Sequence, residues 1–242
     1  MKSLGVICAR AGSKGLPGKN VVPFLGEPLI VRTVKTALRS IKLSNVVVST
    51  DCEHVKRLVD RLVEVVDRPA EFAQDDSPIH EAVIHALDKA EEEWDEGRHD
   101  NVKYDAVVCL QNSSPFRLPQ DIDRSLGFLE AKPDIGTVLS VIYPGHYQAF
   151  RMDAEGGLYW WDSKNHYPYR RQDAKDRNNP DLMQPYYMSG LVYAMRTEVL
   201  RKHEWIPCGK MMGMTVPEQR SMDIHTLQDL RIAEALAKGG VG

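Results

Sequence analysis

An α/β fold, with a mostly parallel sheet covered by helices on both faces, is the reading the sequence supports. Its 242 residues can fill one large domain, its apolar runs have strand length, and amphipathic stretches of helical period separate them. The first run, SLGVICA (3–9), is continuously apolar, as a strand buried on both faces should be. PLIVRTVKTALRSI (28–41) then repeats its apolar residues at helical spacing. NVVVST (45–50) predicts the second strand, CEHVKRLVDRL (52–62) a helix, and VEVV (63–66) a short third strand. SPIHEAVIHALDKAEEEW (77–94) predicts another helix and YDAVVCLQ (104–111) another central strand. Alternation of this kind builds a parallel sheet whose ligands gather at the carboxyl ends of the strands, where RAGSKG, STD and QNSSP fall.

After a further strand-like run, IGTVLSVIY (135–143), the texture changes. Residues 145–187 mix aromatic and charged side chains around Glu155-Gly156-Gly157, a hairpin-turn signal. This segment is expected to be an antiparallel flap inserted in a single domain spanning 1–242. Trp160, Trp161, Tyr167 and Tyr169 within it suit either a subunit interface or packing on the parent domain. YMSGLVYAM (187–195) reads as a strand and TLQDLRIAEALAK (226–238) as a closing amphipathic helix.

A formal net charge of −3 and 27% charged residues argue against a nucleic-acid partner, so any anion site must be local. Cys8, Cys52, Cys109 and Cys208 form no CxxC pair and are expected as buried free thiols. The apolar core of the N-terminal stretch is too short for a signal peptide, and no run approaches the roughly 18 apolar residues of a membrane span. No membrane partner and a cytoplasmic location are therefore expected.

RAGSKGLPGKN (10–20) follows the first strand and concentrates Arg10, Lys14 and Lys19 among glycines. It is not a P-loop, because five residues separate Gly12 from Gly18 and Asn20 stands where Ser or Thr is needed. It is not a dinucleotide fingerprint either, since Gly12, Gly15 and Gly18 recur at intervals of three. What remains is a loop whose backbone amides and cations face an anion such as a triphosphate, glycine allowing close approach.

The loop belongs to a longer pattern. ICARAGSKGLPGKN (7–20), PLIVRTVKTAL (28–38), VVVSTD (46–51), RPAEFAQDDS (68–77), LQNSSPFR (110–117) and MDIHTLQDL (222–230) follow in order along most of the chain. In this the chain resembles the acylneuraminate cytidylyltransferase family, the CMP-sialic acid synthetase group. The resemblance implies a three-layer, Rossmann-like nucleotide-diphospho-sugar transferase sheet and a homodimer. It also implies a reaction in which the anomeric hydroxyl of an acidic sugar attacks the α-phosphorus of CTP and pyrophosphate leaves. Arg10, Lys19 and Asp223 then stand as catalytic candidates. Ala9, Arg10, Ala11, Gly12, Ser13, Lys14, Gly15, Lys19, Asn20 and Arg68 would bind the nucleotide. Gln111, Asn112, Arg171 and Gln172 would bind the sugar acid, an Arg in the flap being suited to clamping a carboxylate.

Arg68 has a plain structural alternative, and Asp51 of VVVSTD is left out of the catalytic set for one. Arg68 could pair with Glu71, and Asp51 could be no more than the N-cap of the 52–62 helix. The pattern also departs from the family twice: Asn112 stands where Pro is usual, and His225 where a second aspartate is common. Strand-like alternation in MDIHT would put Asp223 and His225 on one face. They could hold Mg²⁺, or Mn²⁺ given the softer imidazole, with help from phosphate oxygens. His225 could equally be a general base or a structural neighbour of a helix N-cap at Thr226. Uridylyl or guanylyl transfer to a sugar 1-phosphate, and a CTP-binding protein without catalysis, are the rival functions.

Overall fold

In the computed structural model the described residues are 1–92, 103–142, 150–152, 158–160 and 186–241. β1 (Ser3–Cys8) lies inside the sheet, turning Leu4 and Val6 to one helical layer and Ile7 to the other. Two short strands, β2 (Pro23–Phe24) and β3 (Glu27–Pro28), make a small antiparallel hairpin. α1 (Leu29–Leu38) follows, then β4 (Asn45–Thr50), α2 (Glu53–Val59), β5 (Glu64–Asp67) and α3 (Ile79–Glu92). β6 (Ala106–Gln111), α4 (Pro119–Ala131) and β7 (Thr137–Ile142) continue the alternation. Of the expected flap, the described residues form an antiparallel pair, β8 (Phe150–Met152) and β9 (Leu158–Trp160), on either side of the predicted turn. β10 (Tyr187–Arg196), α5 (Thr197–His203), β11 (Met211–Thr215) and α6 (Leu227–Lys238) close the chain.

The main sheet has the order β11-β7-β10-β6-β1-β4-β5. Its pairings are parallel except at β10, which runs antiparallel to both neighbours. Helices α1, α2 and α4 pack on one face through Ile30, Val34, Val55, Val59, Ile122 and Leu126. On the other face α3 contributes Val83, Ala86, Leu87 and Ala90, and α5 contributes Leu200. Burying each Leu, Ile or Val contributes about 1.5–3 kcal/mol, so these two layers are the main support of the sheet. A third cluster, Phe24, Leu29, Phe116, Ile224, Leu230 and Ala233, takes Leu16 of the glycine-rich loop against it. That cluster connects the loop to the C-terminal segment. Among the described residues no helix is long and apolar enough to cross a membrane.

α4, α5 and β11 were not expected from the sequence. α4 starts because Pro119 suits a first helical turn and because Asp121 Oδ2 accepts the Leu118 N–H at 2.9 Å. β10 is interrupted between Met188 and Tyr193, where Gly190 has φ 75°. Side chains satisfy the backbone there: Ser140 Oγ accepts the Val192 N–H at 2.8 Å, and Arg117 Nε donates to the Leu191 carbonyl.

MDIHT is not a strand. β6 ends at Gln111, and the segment lies beyond that end, fastened by the Ile224 N–H donating to Ser113 O at 2.9 Å. The expected alternation survives nonetheless: Ile224 is fully buried, while Asp223 and His225 turn the other way and meet.

Candidate active site

The loop after β1 is held by the end of β4, by Asp51 and by its own Asn20. Thr50 Oγ1 donates to the Ala9 carbonyl, the Ala9 N–H donates to Ser49 O at 3.0 Å, and the Ala11 N–H donates to Asp51 Oδ1 at 2.8 Å. Asn20 Nδ2 donates to Arg10 O at 2.8 Å, closing the loop on itself. Two expectations are corrected here. The N-cap of α2 is Cys52, whereas Asp51 anchors the loop. The amides of Ala9 and Ala11 are committed to the protein, so an anion would meet the loop's cations instead of these two N–H groups. Gly18 takes the left-handed conformation, φ 64°, and starts the 3-10 turn Lys19–Val21.

Arg10, Ser13, Lys14, Gly15, Lys19 and Asn20 share one cavity of about 410 Å³ at the carboxyl ends of the strands. Arg68, Gln111, Asn112 and His225 line it as well. Ala9, Gly12 and Ala11 do not; Ala9 is buried behind it. Lys19 is half-buried, and loss of hydration pushes its ammonium below the usual range. The Asp223 charge opposes that shift and Arg10 reinforces it. Asp75 balances the other two cations, accepting from Arg10 Nη1 at 2.7 Å and from Lys14 Nζ at 2.6 Å. Lys14 and then Arg10 hold its carboxyl below the ordinary range.

Arg68 is 8% exposed and bonds Ser49 through Nε to Oγ (3.1 Å) and through Nη2 to the carbonyl (2.8 Å). The alternative partner Glu71 makes no ion pair with it among the described residues. Asn112, also buried, donates to Asn20 Oδ1 at 3.1 Å, while its own Oδ1 has no partner among the described residues.

Asp223 stands just beyond the cavity lining. A Cβ built on Gly190 would lie 3.7 Å from Asp223 Oδ2, 3.5 Å from Gln111 Oε1 and 3.2 Å from Ser114 Oγ, so these three oxygens converge on one point. Arg117 Nη2 donates to the Gln111 carbonyl, and the Tyr193 hydroxyl is 3.4 Å from Gln111 Nε2. Burial pushes Tyr193 up to about 12, so it stays protonated at neutral pH. His225 Nε2 is 2.9 Å from Asp223 Oδ2. Among the described residues these two acquire no third acidic, His or Cys ligand. Asp223 Oδ1 is nevertheless buried without a hydrogen-bond partner, which is the kind of oxygen a hard cation seeks. Asp223 therefore offers one free oxygen to a magnesium ion that would take its remaining ligands from phosphate and water, while His225 is engaged with the other oxygen.

The backbone of the two segments touches directly. A Cβ on Gly15 would fall 2.5 Å from the His225 carbonyl oxygen, so only glycine allows the loop to sit this close. Arg171 and Gln172, with Trp161, Tyr167 and Tyr169, lie outside the described residues. Sequence reasoning missed Cys8, Phe72, Ser77, Ile79 and Ala82, which line the cavity, and Asp75. Phe72, Asp75 and Ser77 all fall within RPAEFAQDDS, so that motif carried a signal for more than Arg68.

Residues 4–209 match the family described as Cytidylyltransferase. The chain is 26% identical over 241 residues to the pseudaminic acid cytidylyltransferase of Campylobacter jejuni, covering 98% of this chain and 97% of that one. It is 39% identical over 124 residues, half of each chain, to the CMP-N,N'-diacetyllegionaminic acid synthase of Legionella pneumophila. Among solved structures, a CMP:2-keto-3-deoxy-manno-octonic acid synthetase complexed with CTP superposes with a TM-score of 0.68 at 19% identity. That alignment covers 99% of this chain and 100% of the other, a likeness of fold.

Proposed function

This chain belongs to the cytidylyltransferase family, a group of nucleotidyltransferase enzymes, and from that premise we propose that it makes the CMP derivative of a nonulosonic, sialic acid-like sugar acid. The anomeric hydroxyl of the acceptor attacks the α-phosphorus of CTP, a P–O bond forms, and the bond to the departing pyrophosphate breaks. The carrying observation is the gathering of Arg10, Lys14 and Lys19 in one cavity with Arg68, Gln111 and Asn112. Relatives that act on pseudaminic and N,N'-diacetyllegionaminic acids support the acceptor class.

Asp75 occupies the cations that the triphosphate needs, and an arriving nucleotide exchanges one anion for another at Arg10 and Lys14. Lys19, between the loop and Asp223, is placed to stabilise the charge that grows on the transferring and leaving groups. Arg68, fixed to Ser49, forms a rigid wall for the nucleoside with Asn20 and Asn112. Gln111, steered by Arg117 and Tyr193, presents its amide to the acceptor. Asp223, with His225 orienting its carboxylate, would hold magnesium, which when bound neutralises phosphate charge. Arg171 and Gln172 complete the proposal as contacts to the acceptor carboxylate, offered from the 145–187 segment in a homodimer.

Incubating the protein with CTP, Mg²⁺ and a panel of nonulosonic and octulosonic acids tests the reading by mass spectrometry. A CMP-sugar together with pyrophosphate is expected, and Lys19→Ala should lower kcat by about 10²-fold or more, the usual scale for removing one electrostatic donor. Turnover with UTP or GTP but not CTP, or CTP binding without turnover across the panel, would overturn it.

A further inference from the structure

Cys8 is the last residue of β1 and part of the cavity lining, half-buried where Cys109 and Cys208 are buried. Its surroundings favour a thiolate. The Cys109 thiol, on the same face of the neighbouring β6, stabilises the ionised sulfur most, and the Arg68 guanidinium adds positive charge. Together they outweigh burial and bring the Cys8 thiol down to about 7. Cys109 moves the other way, raised first by that same contact, and Cys208 is raised by burial. In strand register Cys8 stands opposite Gln111 and Cys109 opposite Val6, so the two thiols are diagonal neighbours on one face of the sheet. Asn112 lines the same cavity, and its Oδ1 is buried without a partner among the described residues, an acceptor left open to a ligand's donor. A partly exposed thiol beside a guanidinium is the setting in which cysteines react.

We propose that Cys8 is a modification site for small soft electrophiles in the floor of this cavity, and that its adduct excludes the nucleotide. The inference rests on the nucleotide reading of the cavity. With iodoacetamide the Cys8 sulfur attacks the methylene carbon, a C–S bond forms, the C–I bond breaks and iodide leaves. The thiol proton has already gone to solvent.

The test is timed labelling of the full chain with iodoacetamide, located by peptide mass spectrometry, with and without CTP and Mg²⁺. At pH 7 Cys8 should label several-fold faster than Cys52, Cys109 or Cys208, because its sulfur is the one whose surroundings favour the thiolate. Its rate should rise through a midpoint near pH 7, CTP should slow it, and turnover should fall in step with the label. Cys8→Ala should remove both the fast label and the sensitivity of turnover to the reagent. Labelling of Cys8 no faster than Cys52, or inactivation of Cys8→Ala at the unmodified rate, overturns the reactive site. Fast labelling that CTP does not slow leaves the thiolate standing but overturns the competition, and with it the placement of the nucleotide.

Discussion

At Gly15 a single missing carbon sets the distance between the glycine-rich loop and the segment that carries Asp223. The atom an added Cβ would strike, 2.5 Å away, is the His225 carbonyl oxygen, and a backbone atom cannot swing aside as a side chain can. His225 is further fixed by its N–H, which donates to Asp229 Oδ2 at 3.0 Å. Gly15→Ala should therefore displace the loop, Lys19 with it, and lower kcat by about 10²-fold for a shift on the order of 1 Å. The loop is exposed around Gly15, so thermal unfolding should hardly change; an unchanged kcat would show that the contact has no part in turnover. The charge of this loop was legible in the sequence because Arg10, Lys14 and Lys19 are close neighbours in it. Their counter-charge was not, since Asp75 is 65 residues from Arg10 and nothing local marks an aspartate as its partner. Asp51 misled for a similar reason: its place before a helix suggested a cap, while its real partner, the Ala11 N–H, lies 40 residues away.

Elements with a strong pattern were read correctly: β1, β4 and β6 each carry a short apolar run of strand length, and α1 and α3 have clear apolar stripes. α4 escaped because its buried face includes Asp121 and Ser125 beside Ile122, Leu126 and Leu129, which weakens the stripe. β11 escaped because methionine and glycine, its main residues, have little preference for strands. At the other extreme, α6 starts where Thr226 stands as N-cap. Thr226 Oγ1 accepts the Asp229 N–H at 3.2 Å, and Asp229 Oδ2 accepts the Thr226 N–H at 2.7 Å. This capping box also takes the His225 N–H, so helix start and site segment share one carboxylate. Thr226→Ala should cost about 1 kcal/mol, read as a lower urea midpoint at unchanged slope. A midpoint equal to that of the unmodified protein would mean that the box contributes nothing to the helix.

Across the whole molecule, the cavity joins residues from positions 8 to 225, and its geometry depends on how the C-terminal stretch is held to the sheet. One such hold is Arg220, whose guanidinium engages Asp121 of α4 through both terminal nitrogens, Nη2 to Oδ1 at 3.0 Å. Asp121 is 2% exposed, so its charge has no water to turn to if the guanidinium is removed. Losing one partner of a buried pair costs about 3–5 kcal/mol, against a total stability on the order of 5–15 kcal/mol for a domain. The Leu118 N–H still bonds the carboxylate at 2.9 Å, which puts Arg220→Met near the lower end of that range. Because Asp223 follows only three residues later, turnover should fall further than the lost stability alone explains. Adding Asp121→Asn to Arg220→Met removes the stranded charge and should restore part of the urea midpoint. Midpoint and kcat measured for both single variants and the double variant separate the two effects. Recovery of stability without recovery of kcat places Arg220 in the alignment of the site. If instead Arg220→Met alone costs less than about 1 kcal/mol, the pair behaves like a surface ion pair and the C-terminal segment must be held by the Phe24, Phe116 and Ile224 cluster.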